Sequence, residues 1–332
     1  MSALLEVRDV EVTFGSRRDS GTQVRAVRGV SLDVHPGETV GVVGESGSGK
    51  STLARAIMRL NEPTAGTVAF EGEDLLRLSR RAMRRYRRHM QMVFQDPYSS
   101  LDPTMQVAAS VTEPLRFHQG ISRRDMWATA ADLLESVGLD PSYAHRFPSD
   151  MSGGQRQRVA IARAISTHPR LLICDEPVSA LDASTQNQVI NLLADLGERH
   201  HMAMLVVAHD LAVVNHISDR IVVMYLGEIV ESGPARRVIF EPAHPYTHAL
   251  VAAVPKVGAG RRQLSVVRGE APDPTNPPPG CAFSSRCPHV HDRCRVETPR
   301  AVEIAGGGTA ACHLLDETAT ATSTTTTSKG AP

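Results

Sequence analysis

The stretch from Gly44 to Thr52, GESGSGKST, is the part of the chain whose residue types point most directly to chemistry. It fits the pattern G-x-x-x-x-G-K-[ST], in which glycines let successive backbone N–H groups turn toward phosphate oxygens. In that pattern Lys50 brings a positive charge to the β- and γ-phosphates, and the Ser51 hydroxyl holds Mg²⁺. The predicted nucleotide contacts are Gly44, Ser46, Gly47, Ser48, Gly49, Lys50, Ser51 and Thr52. The sequence therefore predicts a nucleotide site on this loop.

Two carboxylates follow a second apolar run, Leu171–Cys174, that is typical of a buried parallel strand. Ligands of α/β proteins lie at the carboxyl ends of such strands. Asp175 is therefore placed to reach Mg²⁺, directly or through water, and Glu176 to orient or deprotonate an attacking water. Carboxylates at a strand end can also be structural, but the phosphate loop favours the catalytic interpretation.

Further polar residues stand at other strand ends and at one helix start. Gln95 follows the apolar run Met90–Phe94, and His209 follows Ala203–Ala208. A histidine there could donate to a γ-phosphate, although a lone histidine is more often a packing residue. Ser152-Gly153-Gly154 opens a helical pattern and predicts a second anion site at a helix N-terminus.

The elements that position these residues alternate between strands and helices. Thr39–Val43 is predicted as a buried strand before the phosphate loop, and apolar residues at helical spacing follow the loop. This alternation predicts a doubly wound α/β domain. Two strand signals before the loop, Leu4–Phe14 and Ala26–Leu32, predict an antiparallel N-terminal β subdomain. Phe14 ends the first of them, where it could stack on adenine or pack in the core.

The composition restricts the classes of function. Lysine plus arginine and aspartate plus glutamate both number 36, so the net charge is zero, which argues against bulk nucleic-acid binding. No apolar run approaches the roughly 20 residues that cross a bilayer, and the N-terminus lacks the blocks of a signal peptide. We therefore expect a cytosolic protein that reaches a membrane only through a partner.

A basic run lies between the phosphate loop and Gln95. It consists of Arg80, Arg81, Arg84, Arg85, Arg87 and Arg88. The simpler interpretation is a solvated helix face, and the alternative is a surface near acidic lipid headgroups or a membrane partner.

Taken in chain order, six of these stretches resemble the motifs of an ABC transporter ATP-binding subunit. They are Gly44–Ser51 (Walker A), Gln95 (Q-loop), Ser152–Gln155 (signature), Asp175–Glu176 (Walker B), Ser179–Asp182 (D-loop) and His209 (switch histidine). The resemblance spans about half of the chain and implies a P-loop NTPase of ABC type with a mixed central sheet and an inserted helical subdomain. Met151 stands where the signature usually begins with leucine, an apolar exchange with little expected effect.

The resemblance also implies a mechanism that needs two chains. Two ATP-binding domains would dimerise head to tail around two ATP molecules, with Ser152, Gly153, Gly154 and Gln155 reaching the ATP that the partner holds. Glu176 would be the general base, with His209 and Gln95 as sensors of the γ-phosphate and Mg²⁺. The implied Mg²⁺ contacts are Ser51, Gln95 and Asp175. Phe14 resembles the adenine-stacking aromatic residue, and Asp182 belongs to the D-loop.

A narrower resemblance, to the ATPases of oligopeptide and dipeptide importers, rests on stretches outside those motifs. They are Phe94–Pro103, His244–Thr247 with Ala249–Leu250, Gly280–Phe283, Arg286–Pro288, Cys294 and Ala311–His313. It implies a peripheral subunit on the cytoplasmic face of the membrane, with a second ATP-binding subunit, two permease subunits and, indirectly, an extracytoplasmic substrate-binding protein, but no nucleic acid. Nickel and glutathione importers share the same extension, so the transported molecule stays open.

Two other classes of ABC ATPase fit the sequence less well than an importer subunit. A soluble ABC ATPase acting in translation, repair or chromosome structure usually carries two ATP domains or long coiled-coil insertions, whereas this chain has one set of motifs. An exporter ATPase is disfavoured by the cysteine-containing extension. The resulting domain hypothesis is a nucleotide-binding domain at 1–255 with a helical subdomain at about 96–158, an extension at 256–316, and a disordered Thr/Ser-rich tail at 317–332.

Four of the five cysteines fall in the extension, with the spacing C-x5-C-x6-C-x17-C. Cys281, Cys287, Cys294 and Cys312 could hold Zn²⁺ or a [4Fe–4S] cluster, or could be unligated thiols. Some members of the resembled subfamily carry a [4Fe–4S] cluster at these positions, which favours that cluster. Cys174, inside a predicted strand, is expected to be a small core residue.

Overall fold

The computed structural model describes residues 2–15, 23–253, 269 and 272–315. The predicted tail at 317–332 and the predicted domain boundary at 255 lie outside these residues. The strands are β1 (Leu5–Phe14), β2 (Val24–Val34), β3 (Thr39–Val43), β4 (Ala65–Phe70), β5 (Glu73–Asp74), β6 (Met90–Val93), β7 (Leu171–Asp175), β8 (Ala203–Ala208), β9 (Arg220–Tyr225), β10 (Glu228–Pro234), β11 (Ala301–Glu303) and β12 (Thr309–Ala311). The helices are α1 (Lys50–Ile57), α2 (Arg80–Tyr86), α3 (Pro97–Ser100), α4 (Val107–Gln119), α5 (Met126–Ser136), α6 (Gly153–Ile165), α7 (Ala183–His200), α8 (Leu211–Ile217), α9 (Ala235–Phe240), α10 (Pro245–Ala253) and α11 (Asp292–Val296).

A mixed sheet forms the centre of the molecule, in the order β11-β12-β10-β9-β3-β8-β7-β6. Strands β9, β3, β8, β7 and β6 are parallel neighbours, and β10 to β12 join them in antiparallel pairs. Strands β3, β7 and β8 are buried at every position, as expected for parallel strands covered on both faces. Their carboxyl ends deliver the phosphate loop, Asp175 and His209 to one edge of the sheet. The predicted mixed sheet is confirmed.

The N-terminal strands form a second, antiparallel sheet in the order β2-β1-β4-β5. Leu5 pairs with Val34 on one side and with Phe70 on the other. All three side chains are buried, because alternate residues of each strand face the core beneath α1. This confirms the predicted antiparallel subdomain before the phosphate loop.

Helices α3 to α6 form the predicted helical subdomain. Within α5, Ala130 and Leu134 are fully buried, and Trp127 and Leu133 pack partly buried against the same core. These positions share one face at helical spacing, as expected of an amphipathic helix packed on a core. Helix α4 contains Pro114 and ends at Gly120, whose positive φ of 68° suits a helix C-terminus.

The basic run continues from α2 into the turn that follows it. Met83 is the buried residue of this helix, whereas Arg80, Arg81, Arg84 and Arg85 are exposed. These four arginines therefore lie on a solvated face, which is compatible with both interpretations of the basic run. In the described ranges no helix is both long and apolar enough to cross a bilayer.

The C-terminal extension is continuous with the central sheet, which the sequence did not predict. Strand β12 pairs with β10, where Ser232 lies opposite Thr309. Next to this junction Glu231 is fully buried, forms an ion pair with Arg237 and accepts hydrogen bonds from the backbone N–H groups of Ala243 and His244. Removing one partner of such a buried pair typically costs about 3–5 kcal/mol of folding free energy. Thus one carboxylate secures the turn that leads to α10.

Candidate functional site

The phosphate loop between β3 and α1 depends on glycines at two positions. Gly44 has a φ of 155° and Gly49 a φ of 99°, which non-glycine residues rarely adopt. A Cβ at Gly44 would lie 2.2 Å from the carbonyl oxygen of Met224, and one at Gly49 would lie 2.2 Å from that of Ala26. Because Gly49 directly precedes α1, the loop presents its backbone N–H groups at a helix N-terminus, where phosphate binds well.

The Lys50 ammonium lies inside this loop and is only 4% exposed. Its Nζ donates to the carbonyl oxygens of Gly44 and Glu45, each at 2.8 Å. Burial lowers the pKa of Lys50, while the carboxylates of Glu176, Asp175 and Glu45 oppose that shift. The side chain thus holds a positive charge beside the loop backbone, where the β- and γ-phosphates are expected.

Asp175 and Ser51 form the part of the site suited to a hard cation. The Ser51 hydroxyl donates to Oδ1 of Asp175 at 2.6 Å, and the Arg55 guanidinium lies 3.6 Å from Oδ2. Asp175 is fully buried, and its Oδ2 makes no hydrogen bond within the described residues. Burial raises the pKa of this carboxyl, against the lowering effects of Ser51 and Arg55. A hydroxyl beside an unsatisfied carboxylate oxygen fits Mg²⁺, which prefers oxygen ligands.

Glu176 is held at the end of β7 by contacts to two other predicted site residues. Gln95 Nε2 donates to Glu176 Oε2 at 2.8 Å, and His209 Nδ1 lies 3.6 Å from the same oxygen. Glu176 has a φ of +47°, a left-handed conformation that is costly for a residue with a Cβ. Its N–H donates to Val207 O at 2.9 Å, which fixes this turn. The carboxylate is thereby aimed at the phosphate loop.

A single cavity of about 540 Å³ contains most of the predicted nucleotide contacts. Its described lining comprises Val24, Arg25, Ala26, Ser46, Gly47, Gly49, Lys50, Ser51, Thr52, Gln95, Glu176, His209, Leu226, Gly227 and Pro274. The structure therefore brings the phosphate loop, the Q-loop glutamine, the Walker B glutamate and the switch histidine around one space. Their individual roles stay predictions. Ser48, buried beside Lys50, and Gly44 support the loop from behind the cavity.

Phe14 lies at the edge of this cavity. It pairs with Val24, which lines the cavity, and its side chain is 44% exposed. That exposure argues against the core alternative, because a core phenylalanine would be buried. Stacking on adenine stays a prediction for this residue.

The signature residues lie outside the cavity. Ser152 caps α6: its backbone N–H donates to Gln155 Oε1 at 3.0 Å, and its Oγ accepts from the Gln155 N–H at 3.4 Å. Gln155 Nε2 also donates to the Tyr143 hydroxyl at 2.9 Å. None of the residues Ser152–Gln155 is among the described residues that line the cavity. Ser152 is exposed, so the N-terminus of α6 is open to solvent, and its binding to a partner's ATP stays a prediction.

The D-loop packs behind the signature. A Cβ on Gly154 would lie 2.4 Å from Cγ2 of Thr185, and one on Gly153 would lie 3.5 Å from Leu181. Asp182 caps α7 by accepting from the N–H of Thr185 at 3.0 Å and from its hydroxyl at 2.8 Å. Hydrogen bonds from Ser184 and Thr185 lower the pKa of Asp182 far below its usual value. Asp182 thus stays ionised and caps α7, the helix whose Thr185 lies against Gly154 of the signature.

The cysteines of the extension lie near one another without forming a recognisable metal site. The Cys281 N–H donates to the carbonyl oxygen of Cys294 at 2.8 Å, and Cys294 and Cys312 are buried. Burial raises the pKa of the Cys281 thiol to about 11, with smaller contributions from Cys294, Cys312 and Cys287. Among the residues that the structure describes, no three His, Cys, Asp or Glu side chains are arranged to hold a metal ion. The predicted iron–sulfur site is therefore not supported.

Cys174 lies inside β7, where burial raises its thiol pKa to about 12. It is fully buried among the apolar residues around the helical subdomain, so its prediction as a core residue is confirmed. No local sequence pattern pointed to two other residues at the site. Pro274 comes from the extension and lines the cavity, and Arg286 contacts Glu45 of the phosphate loop.

Comparisons with known proteins agree with the motif assignment. Residues 27–179 match the ABC transporter family, and residues 230–294 match the family described as oligopeptide/dipeptide transporter, C-terminal region. Among similar proteins, the probable peptide ABC transporter ATP-binding protein y4tS of Sinorhizobium fredii is 53% identical over 88% of this chain and 83% of its own length. The oligopeptide transport ATP-binding protein AppF of Bacillus subtilis is 46% identical over 94% of this chain and 97% of its own length.

The fold also matches solved cassettes. The ATP-binding cassette MJ0796, solved as a dimer in a post-hydrolysis state bound to ADP and Pi, superposes with a TM-score of 0.64 at 31% identity, covering 70% of this chain and 99% of that one. A second neighbour, cbiO1 of Clostridium perfringens, has a TM-score of 0.63 at 24% identity over 73% of this chain and 92% of that one, which supports the fold alone.

Together, the fold and the site are those of a phosphate-loop ATPase of the ABC type. The chain belongs to the ABC transporter family, as an ATP-binding subunit that carries the oligopeptide/dipeptide transporter C-terminal region.

Proposed function

We propose that this chain hydrolyses ATP to energise an importer of di- and oligopeptides across the cytoplasmic membrane. One observation carries the proposal: the catalytic cavity and the signature residues are separate within a single chain. A second ATP-binding subunit, identical or related, would supply its Ser152–Gln155 segment or the equivalent over the γ-phosphate. ATP binding would then close the dimer, and hydrolysis would reopen it.

Within this dimer, separate groups of the chain's residues would bind the nucleotide, bind the metal ion and carry out hydrolysis. The phosphate-loop N–H groups and Lys50 bind the triphosphate, and Phe14 stacks on the adenine. Ser51, Gln95 and Asp175 would hold Mg²⁺, which would supply charge neutralisation at the β- and γ-phosphates. Glu176 accepts the proton of the attacking water, and His209 donates to the γ-phosphate.

A groove beside the Q-loop is the proposed docking place of the permease. It has a volume of about 320 Å³ and lies between the central sheet and the helical subdomain. Leu60, Phe94 and Phe117 line it as exposed apolar residues, with Phe117 62% exposed. Phe94 directly precedes Gln95, whose amide contacts Glu176. A permease segment seated here would therefore sense whether the catalytic carboxylate is engaged.

Peptides are proposed as the transported class because several relatives are named for peptide, oligopeptide or di/tripeptide transport. The matched C-terminal region also favours this function over a soluble ABC ATPase. A peripheral position on the cytoplasmic face, two permease subunits and an extracytoplasmic binding protein complete the proposed importer. Nickel and glutathione stay alternative cargoes.

The proposal is tested by peptide uptake and by assembly with the permease. Cells that lack this chain are expected to lose uptake of a labelled tripeptide and to regain it with the wild-type chain. A Phe117→Asp variant is expected to bind ATP normally but to lose roughly tenfold or more in co-purification with the permease, because a charge replaces a groove contact. Phe240→Asp alters another exposed phenylalanine, on α9 outside the groove, and should co-purify like wild type. Unchanged tripeptide uptake without the chain would exclude peptides as the cargo.

A [4Fe–4S] cluster on the four extension cysteines is a separate proposal. It rests on the sequence resemblance alone, because the thiols of Cys281, Cys287, Cys294 and Cys312 are not arranged to hold a metal ion in the described residues and would have to rearrange and lose their protons to ligate iron. Protein purified without oxygen is expected to be brown, with a broad absorbance that Cys287→Ser abolishes, whereas Cys174→Ser should retain it. Colourless wild-type protein without iron would rule out the cluster.

A further inference from the structure

Glu45 places a carboxylate within the phosphate loop. It is the residue after Gly44, and its charge acts on the ammonium of Lys50. A negative charge a few ångströms from a triphosphate repels it, and the repulsion is strong where water is partly excluded. An anion-binding loop that contains a glutamate therefore needs a nearby positive charge to offset it.

Arg286, from the C-terminal extension, provides that charge. Its Nη1 donates to Glu45 Oε2 at 2.7 Å and its Nη2 to Glu45 Oε1 at 3.0 Å, so the pair is bidentate. The Arg286 side chain is only 6% exposed, and Nη1 also contacts the Tyr225 hydroxyl at 3.3 Å. A bidentate pair in such surroundings is among the stronger hydrogen-bonded contacts of proteins.

An aromatic cluster lies beside Arg286 and also forms a hydrogen bond with the Glu45 backbone. Phe283 is buried, with its ring centroid 5.3 Å from that of Tyr225 and 5.4 Å from that of Tyr246. The Tyr246 hydroxyl accepts a hydrogen bond from the Glu45 N–H at 2.8 Å. The C-terminal part of the chain thus fixes both the backbone and the side chain of one loop residue.

We propose that Arg286 is a positioning residue for ATP binding, which neutralises Glu45 and holds the phosphate loop in its binding conformation. The C-terminal extension thereby sets the affinity of the loop for nucleoside triphosphates. This inference rests on the proposed ATP site and adds a residue from outside the six sequence motifs to it.

If Arg286 only linked the extension to the core, its variants would behave differently from those of a residue that neutralises Glu45. If the pair only joins two parts of the fold, removing either partner weakens nucleotide binding, and removing both does not restore it. If Arg286 cancels the Glu45 charge, Arg286→Gln weakens binding, whereas Glu45→Gln removes a negative charge beside the anion site and strengthens it. The double variant then returns close to wild type, because it removes one charge of each sign.

The test measures binding of MgAMP-PNP to the full-length chain by calorimetry. Arg286→Gln is expected to weaken binding by roughly tenfold, as for loss of a charge-assisted bidentate pair beside an anion site. Glu45→Gln should bind more tightly than wild type, and the double variant should bind within about threefold of it. The deficit of Arg286→Gln should shrink between about 50 mM and about 500 mM salt, because salt screens the exposed charge.

Arg293→Gln is the matched control. It makes the same exchange in the same extension, but Arg293 pairs with Glu297 along α11, so binding should stay at the wild-type value. Wild-type binding by Arg286→Gln, or a double variant as weak as it, would overturn the inference. Should Arg286→Gln not fold, Glu45→Gln decides alone, since binding weaker than wild type contradicts neutralisation. Absence of binding by the wild-type chain would instead refute the proposed ATP site.

Discussion

Glu176→Gln is expected to lower ATP turnover by at least roughly 100-fold, the contribution typical of a general base. The amide has the same size as the carboxylate but cannot accept a proton from water. ATP should still bind, because the phosphate loop and Lys50 are untouched. With hydrolysis blocked, the closed dimer should accumulate, and gel filtration in the presence of MgATP should show it.

A matched exchange separates this effect from the loss of a negative charge in general. Glu198 lies exposed near the end of α7, away from the cavity, so Glu198→Gln should hydrolyse ATP at the wild-type rate. Turnover retained in Glu176→Gln would remove Glu176 from the role of base. The contact from Gln95 would then mark a structural turn rather than a catalytic group.

Lys50→Ala is expected to weaken MgATP binding by roughly 100-fold, a free-energy loss of about 2.7 kcal/mol, within the range for hydrogen bonds to charged groups. The variant removes a buried ammonium that donates to the carbonyl oxygens of Gly44 and Glu45. It also removes a positive charge that acts on the carboxylates of Asp175 and Glu176, so the loop becomes more repulsive to phosphate. Equilibrium binding of a fluorescent ATP analogue measures the loss.

Arg77→Ala serves as the control for Lys50→Ala. Arg77 is also a cation, but it is highly exposed, pairs with Asp74 and is not part of the phosphate loop. Its binding of the analogue should match that of wild type. Full affinity in Lys50→Ala would mean that the nucleotide binds elsewhere than at the phosphate loop.

The residues that the structure brings around the cavity could be picked out from the sequence, because each part of the candidate site is a local pattern. A glycine-rich loop, a buried strand with carboxylates at its end and a polar residue after a strand can each be recognised within about ten residues. The parallel sheet then brings these strand ends together, since parallel strands share a carboxyl edge. Gln95 and His209 consequently both lie beside Glu176, while their roles stay predictions.

Contacts of the extension could not be predicted in the same way. Strands β11 and β12 have three residues each, too few for a periodic signal, and they join the sheet at its edge. The pair between Glu45 and Arg286 depends on how the extension folds back, which no local spacing encodes. Cysteine spacing likewise says which thiols are near in sequence, but not which way they face.

The Glu45–Arg286 pair also has a consequence during synthesis, because the ribosome makes the chain from the N-terminus to the C-terminus. The two residues are 241 positions apart, so the loop emerges long before the residue that neutralises it. During synthesis Glu45 is therefore without Arg286, and on the proposed role of Arg286 a nascent core domain should bind ATP more weakly than the finished chain. Translation that stops before the extension would yield a cassette that binds ATP roughly tenfold more weakly. Completion of the polypeptide would thus raise the affinity of the loop for ATP.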